Sequence, residues 1–495
     1  MPYADLREFL GVLEREGQLV RYSAELLPEP DVGALSCAAG ELGATAPAVL
    51  LDNIKGYKGK KVAVNVHGSW ANHALMLDMP KLSSVQSQFF ELVNRWERYP
   101  GQVEWIEHAP CQEVVIDRDI NLYEVLPLFR IHRYDGGYYL SKACCVSKDP
   151  EDPDNFDKEN VGIYRIQVQG PDTLGYQVAT FHDGGVHFQK AERRNAPLPV
   201  AICLGNDPML SFMAATPIPY DQSEYKFAAA LKGAPFALTK CLDFDLDVPA
   251  FTEYVLEGEV LPGERVVEGP FGEYPGTYSG VRKQLLIKIK KIAHRRDPIF
   301  ENLYIGRFWT EHDQLVALST SLPLYKEVKE SIPEVKAINA IYQHGLTAIV
   351  STRVRFAGFA KRVAFRVAST PHGATFCRNI IVVDEDIDPF NLQEVMWALS
   401  CRVRDQRDII FIPDTEGSVI NPVAAKSGGM DRKLIIDATT HAAPEEELED
   451  IVLIEPSEKV PAFKTLLLNL QKAGAPSTPA SQSPACRGPR AGGAK

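Results

Sequence analysis

From about residue 110 to 315 the texture of this chain changes to strands, in runs whose apolar side chains recur at every second position. A repeat of two marks a strand with one face buried. YRIQVQG sets Tyr164, Ile166 and Val168 against Arg165, Gln167 and Gln169, and QLLIKIKKI sets Leu285, Ile287 and Ile289 against Leu286, Lys288 and Lys290. Many such runs separated by Gly/Pro turns predict a β-barrel or sandwich in the middle of the chain. The flanks have an α/β texture. Leu6, Phe9, Leu10 and Leu13 follow helical spacing, KVAVNVHG puts Val62, Val64 and Val66 on one strand face, and 80–99 predicts a helix. Past 315, NIIVVDEDID predicts a strand ending in acids, LQEVMWALSCRV a helix, and IIFIP another buried strand. The last forty or so residues lose this periodicity and are rich in Pro, Ser, Ala and Gly, so a disordered tail is expected.

A chain of 495 residues is too long for one core. The expected division is an N-terminal α/β domain over 1–110, a β domain over 111–315, a C-terminal α/β domain over 316–455, and a tail over 456–495. With 53 basic and 65 acidic residues the net charge is −12. That argues against nucleic acid or an anionic membrane as a main partner. No apolar run reaches the ~18 residues needed to span a bilayer, and MPYADLREFL lacks the pattern of a secretory signal. The nine cysteines form no CxxC pair and are expected as free thiols in a reducing cytoplasm.

Four groups of residues could carry chemistry. In ENVGIYRIQVQG, Arg165 is a buried cation in need of a carboxylate if its strand face is enclosed, and an ordinary surface arginine if it is not. In EGPFGEYPG, Glu268 and Glu273 would point to opposite faces of a straight strand, ~16 Å apart. The Gly/Pro turn chemistry can instead fold them to one point, where unequal pKa values would let one hold a proton. The bland alternative is a turn with two solvated glutamates. Asn160, His182 and Glu224 offer oxygen and imidazole donors that suit manganese better than zinc, with His187 as a competing ligand. His344 in NAIYQHG and His372 in STPHGAT each stand beside a glycine, and either could meet a phenol or cap a turn.

Taken in order, ENVGIYR, the His182 segment, ATPIPYDQSEY, EGPFGE, IIVVDEDIDPFN with VMWALSCRV, and KLIIDAT resemble the UbiD family of decarboxylases over roughly residues 1–440. LPEPDVGAL, NVHGSWANHAL, VLPLFR, DGGYYLSKA, VSKDPED and INAIYQHG are similar to the C subunit of bacterial non-oxidative hydroxyarylic acid decarboxylases. The resemblance implies an α/β N-terminal part, a split β-barrel that binds flavin, and a C-terminal α/β domain that helps build homo-oligomers. It implies prenylated FMN, with its phosphate held through Mn2+ and K+ nearby. Asn160, His182 and Glu224 correspond to the metal ligands. Asn160, Val161, Gly162, Ile163, Tyr164 and Arg165, with Phe181 and His182, would line the cofactor. Arg165, Glu268 and Glu273 correspond to the catalytic network, with Glu273 as proton donor, and His344 is placed at the substrate's phenolic oxygen. The implied activity is reversible decarboxylation of a vanillate, 4-hydroxybenzoate or protocatechuate type of acid. A flavin prenyltransferase would supply the cofactor, and a small accessory D subunit would be a partner. Other readings are another acid within the family (a polyprenylated hydroxybenzoate, gallate or an acrylic acid), a split-barrel flavin reductase, or a non-catalytic flavin carrier. Two departures stand out: FHDGG around His182, and an ending after about 460 unlike the family's helical one.

Overall fold

Six antiparallel strands close a barrel in the middle of the chain. In order around it they are Tyr254–Glu268, Leu198–Leu204, Tyr139–Lys148, Glu159–Val168, Thr173–Gln177 and Arg282–His294, and the last pairs back onto the first. Closure leaves no open edge among them. The predicted alternation fills the interior, where Ile166, Leu174, Val200, Ile202, Leu256 and Ile287 share one core. The outer face is also covered. Val161, Ala201 and Val255 join a second core with the helices Leu6–Arg15, Pro208–Ala214, Glu224–Lys232 and Glu311–Ser331. A strand such as Glu159–Val168 is therefore enclosed on both sides, which decides the fate of Arg165.

The structure is a computed structural model and describes residues 3–307, 309–442, 444 and 457–473. The N-terminal sheet runs Leu19–Tyr22, Ala48–Leu51, Lys61–Val64, Ile299–Glu301, so its fourth strand comes from chain that has already traversed the barrel. The C-terminal sheet has the order Val335–Tyr342, Thr347–Thr352, Asn379–Asp384, Met430–Ala438, Ile409–Glu416. It follows the helix Glu311–Ser331, which starts at a capping box made by Thr310 and Asp313. No helix among the described residues is long and apolar enough to cross a membrane, and the eight described cysteines are unpaired.

Two expectations change. IIFIP is not a buried strand: among the described residues Ile409–Glu416 is an edge strand bonded only to Met430–Ala438, and Ile409 and Phe411 are exposed. An apolar run cannot by itself tell an edge from a centre. The tail expected to lack order from 456 is helical over Val460–Ala473, where Val460, Phe463 and Leu467 stand at helical spacing. This helix belongs to a second unit that begins at Leu448. The PSTPASQSPACRGPRAGGAK segment lies outside the described residues.

One buried contact joins the barrel, the N-terminal sheet and the helix Glu311–Ser331. Lys142, from the barrel, places its Nζ 2.5 Å from Glu301, 2.7 Å from Glu311 and 2.8 Å from His67 Nδ1. Glu311 also accepts the backbone N–H of Asn65 and His67 at 2.8 and 3.0 Å. His67, Glu301 and Glu311 converge closely enough to cage a metal ion, but the Lys142 ammonium already stands among them as the cation.

Candidate active site

The site is strung along the strand Glu159–Val168. At one end, the first residue of the helix Glu224–Lys232 turns its carboxylate to the strand, and Val161 N donates to Glu224 Oε2 at 3.2 Å. That sets Glu224 beside Asn160. Tyr164 folds back along the same strand face over Gly162, toward Asn160. This needs Gly162, because a Cβ there would come within 2.6 Å of the Tyr164 ring and hydroxyl. His182 caps the helix Asp183–Arg193, its ring centroid 5.9 Å from that of Tyr164 and 4.6 Å from that of Phe181. His182 thus lies beside Tyr164, and Glu224 meets the same strand next to Asn160. His187 is directed elsewhere, with Nδ1 on the Ser147 hydroxyl at 3.0 Å.

These residues fit a divalent cation. Glu224 is buried, and burial followed by the nearby Asp183 holds its carboxyl well above the usual range. A hard cation would relieve the buried carboxylate and take the Asn160 amide oxygen and an imidazole as ligands. Asp183, pushed up to about 6 by burial, is a further donor beside His182 that the sequence reading passed over.

Five residues along, roughly 17 Å away at strand rise, is Arg165. Its Nε and Nη2 hold Glu268 in a fork at 3.0 and 2.7 Å, and Nη1 bonds Glu273. The three side chains are at most 9% exposed. Arg165 is therefore the enclosed cation, and the turn does fold the two glutamates to one point. Glu268 ends the long barrel strand, a cis Gly269–Pro270 bond follows, and Gly269 and Gly276 adopt positive φ that other residues resist. The Tyr139 hydroxyl donates to Glu268 Oε1 at 3.1 Å, and Phe271 lies under the Arg165 guanidinium at 5.4 Å. Burial pushes the Glu273 carboxyl up and Arg165 pulls it back, leaving it above its ordinary value.

Beyond Glu273 lies a cluster of imidazoles. Tyr274 stacks on His312 at 5.8 Å and faces His344 at 5.4 Å; His344 is 5.5 Å from His372 and 4.9 Å from Phe376. Burial, with His344 as neighbour, lowers His312 and His372 to about 3, and burial with His182 lowers His344 to about 4, so all three are neutral at pH 7. His312 Nδ1, His344 Nδ1, His372 Nε2 and the Tyr274 hydroxyl are buried without a hydrogen-bond partner among protein atoms. A cavity of about 780 Å3 between the loop 217–222 and the helix Glu311–Ser331 reaches His372. His312, in WTEHDQL, and Tyr274 were not visible as site residues in the sequence. No spacing marks them, and only the fold brings them to Glu273.

The N-terminal, Rift-related and C-terminal domains of 3-octaprenyl-4-hydroxybenzoate carboxy-lyase match residues 10–92, 104–308 and 313–438. The chain belongs to this family, UbiD, of carboxy-lyases. It is 52% identical to a phenolic acid decarboxylase of Sedimentibacter hydroxybenzoicus over 95% of this chain and 98% of that one. It superposes on the vanillic acid decarboxylase ShVdcCD of the same organism, in closed form, with a TM-score of 0.88 at 52% identity, covering 95% of this chain and 99% of the other. It also resembles an evolved dimeric form of HmfF from Pelotomaculum thermopropionicum in complex with prFMN: TM-score 0.76, 28% identity, 91% and 99% covered.

Proposed function

We propose that this chain is a prenylated-FMN-dependent decarboxylase that converts a hydroxylated aromatic acid of the vanillate, 4-hydroxybenzoate or protocatechuate type to the phenol and CO2, reversibly. One observation carries the reading. A buried arginine, Arg165, forks Glu268 and bonds Glu273, whose carboxyl is held above its ordinary value, and this acid lies next to Tyr274 and a group of buried, unpartnered imidazoles that can meet a hydroxylated ring. Asn160, His182 and Glu224 would hold Mn2+ and through it the cofactor phosphate, with K+ close by, while residues 161–165 and Phe181 line the flavin.

When bound, the cofactor supplies an electrophilic electron sink for the ring carbon that loses CO2. The chain's own residues do the rest. Glu273, whose proton affinity burial raises, delivers its proton to that ring carbon. Arg165 fixes where the Glu273 carboxyl sits, and Glu268, locked in the fork and by Tyr139, fixes Arg165. The neutral His344, with His312, His372 and Tyr274, provides hydrogen-bond partners for a phenolic oxygen. An acrylic acid would leave these groups unpaired, which favours a hydroxylated ring.

As domains we propose 1–110, 111–315 and 316–455, with Ile299–Glu301 returned to the first. As partners we propose further copies of this chain and a small D-type subunit. The name ShVdcCD, and a form of that relative with truncated ShVdcD, support the latter. We place the enzyme in the cytoplasm, supplied by a flavin prenyltransferase.

The test is co-expression with a flavin prenyltransferase, followed by a flavin spectrum, a manganese assay and CO2 release across a panel of hydroxybenzoates. Flavin-loaded protein that releases CO2 from none of them would sink the reading, and oxidation of NAD(P)H would move it to the reductase class. Glu224→Ala is expected to lose metal and flavin together. A normal flavin spectrum with stoichiometric manganese in that variant would overturn the ligand set.

A further inference from the structure

The turn that carries Glu273 is poorly equipped to hold itself. Its own bonds are few: Glu273 N to Thr277 O at 3.0 Å, Gly276 N to Glu273 O at 2.9 Å, Ser279 N to Phe271 O at 2.8 Å and Phe271 N to Ser279 Oγ at 3.1 Å. It contains Gly269, Gly272 and Gly276, and a lone two-stranded hairpin of such composition is marginal in water. Yet a misplacement of about 1 Å at a reacting group can cost about 10²-fold in rate. Something outside the turn must fix it.

That support is the segment His132–Tyr139. Asp135 is 2% exposed. Its Oδ1 accepts Gly272 N at 2.9 Å, and its Oδ2 accepts His132 N at 2.8 Å. Arg130 Nη1 bonds the Asp135 carbonyl oxygen. One residue on, Gly136 N donates to Pro270 O at 2.7 Å, and a Cβ at Gly136 would fall 2.2 Å from Gly269 O. His132 packs beneath the turn so closely that a Cβ on Gly272 would sit 2.2 Å from its ring. Residues 270 and 272 are thus tied down on either side of Phe271, itself pinned between Tyr139 at 4.3 Å and Arg165.

We propose that Asp135 is a positioning residue for the proton donor: it anchors the Gly272 backbone and so aims Glu273 at Arg165 and the ring carbon. The inference rests on Glu273 being the acid. Both Asp135 oxygens are acceptors for backbone N–H groups, which only a carboxylate can satisfy together. In Asp135→Asn one of the two N–H groups must face an amide N–H instead.

The experiment compares wild type, Asp135→Asn, Gly136→Ala and Glu273→Gln as flavin- and metal-loaded enzymes. Hydrogen–deuterium exchange is read on the peptide spanning 268–276, and kcat, KM and the pH dependence of kcat are measured with vanillate. Asp135→Asn is expected to speed exchange there at least about ten-fold and to lower kcat roughly 10- to 100-fold, with KM and cofactor content retained. Its basic limb of kcat should move to higher pH, because Glu273 released from Arg165 holds its proton more tightly. A purely structural role would lower the active fraction and leave that limb in place. Gly136→Ala is expected to act in the same direction, and it carries the test if Asp135→Asn does not fold. Unchanged exchange, or faster exchange with kcat and the limb unmoved while Glu273→Gln is inactive, would overturn the proposal. Full turnover by Glu273→Gln would instead overturn the acid reading on which it rests.

Discussion

Two buried clusters in this molecule have the same ingredients, one cation and two glutamates, and opposite characters. Around Lys142 both carboxylates are fully enclosed. Burial pushes Glu311 up, but Lys142 and the contacts from His67 outweigh it and hold Glu311 at about 2. Glu301, with less help, rises to about 7. Around Arg165 the guanidinium gives its fork to Glu268 and only its remaining nitrogen to Glu273, whose neighbour Tyr274 faces the imidazole cluster. Both clusters hold a glutamate whose proton affinity is raised, Glu301 in one and Glu273 in the other, so what separates them is surroundings: the Lys142 cluster is walled in by the elements it joins, whereas Glu273 stands next to Tyr274 and unpartnered imidazoles that a ligand can meet.

The contrast can be broken from either side. The largest effect is expected from Glu273→Gln: turnover of a flavin-loaded variant should fall about 10²- to 10⁴-fold, while its unfolding midpoint moves little. Lys142→Met should do the reverse. It strands buried carboxylates and should cost about 3–5 kcal/mol of stability, measured by denaturant unfolding. Should the first variant lose its fold or the second keep it, the two clusters have been assigned the wrong way round. His344→Ala sharpens the open side, with KM for hydroxybenzoates expected to rise about ten-fold and kcat changed less. The smallest effect concerns pH. Folded Glu301 keeps its proton up to about 7, whereas an unfolded glutamate loses it near ~4.3. The folded state binds the extra proton between those values, so the stability contributed by this group falls as pH rises through about 7. Glu301→Gln should flatten the decline of the melting temperature between pH 5 and 8, and an identical slope in both proteins would remove Glu301 as its source.

The barrel was legible because a repeat of two survives burial of both faces when polar positions such as Arg165 and Gln167 find partners inside. The turn residues between Glu268 and Glu273 allowed a bend but equally a solvated turn, so the Arg165–Glu268–Glu273 network was legible only through the family resemblance. The Lys142 cluster was not. Positions 67, 142, 301 and 311 sit in four unrelated stretches, and nothing local distinguishes a lysine that will be wholly buried from one that snorkels. His312 was hidden for the same reason, between two acids in a helix start that reads as a cap. IIFIP misled because β-rich apolar composition is shared by central and edge strands, and the helix Val460–Ala473 was masked by the biased composition that follows it.

The N-terminal sheet takes its last strand from Ile299–Glu301, and that has a consequence for how the protein is made. While the chain emerges from the ribosome, the strand Lys61–Val64 must wait for some 230 further residues before its neighbour exists. Until then it presents an unpaired edge. The barrel must be traversed before the first sheet can be finished, so the domain that is synthesised first cannot be completed first.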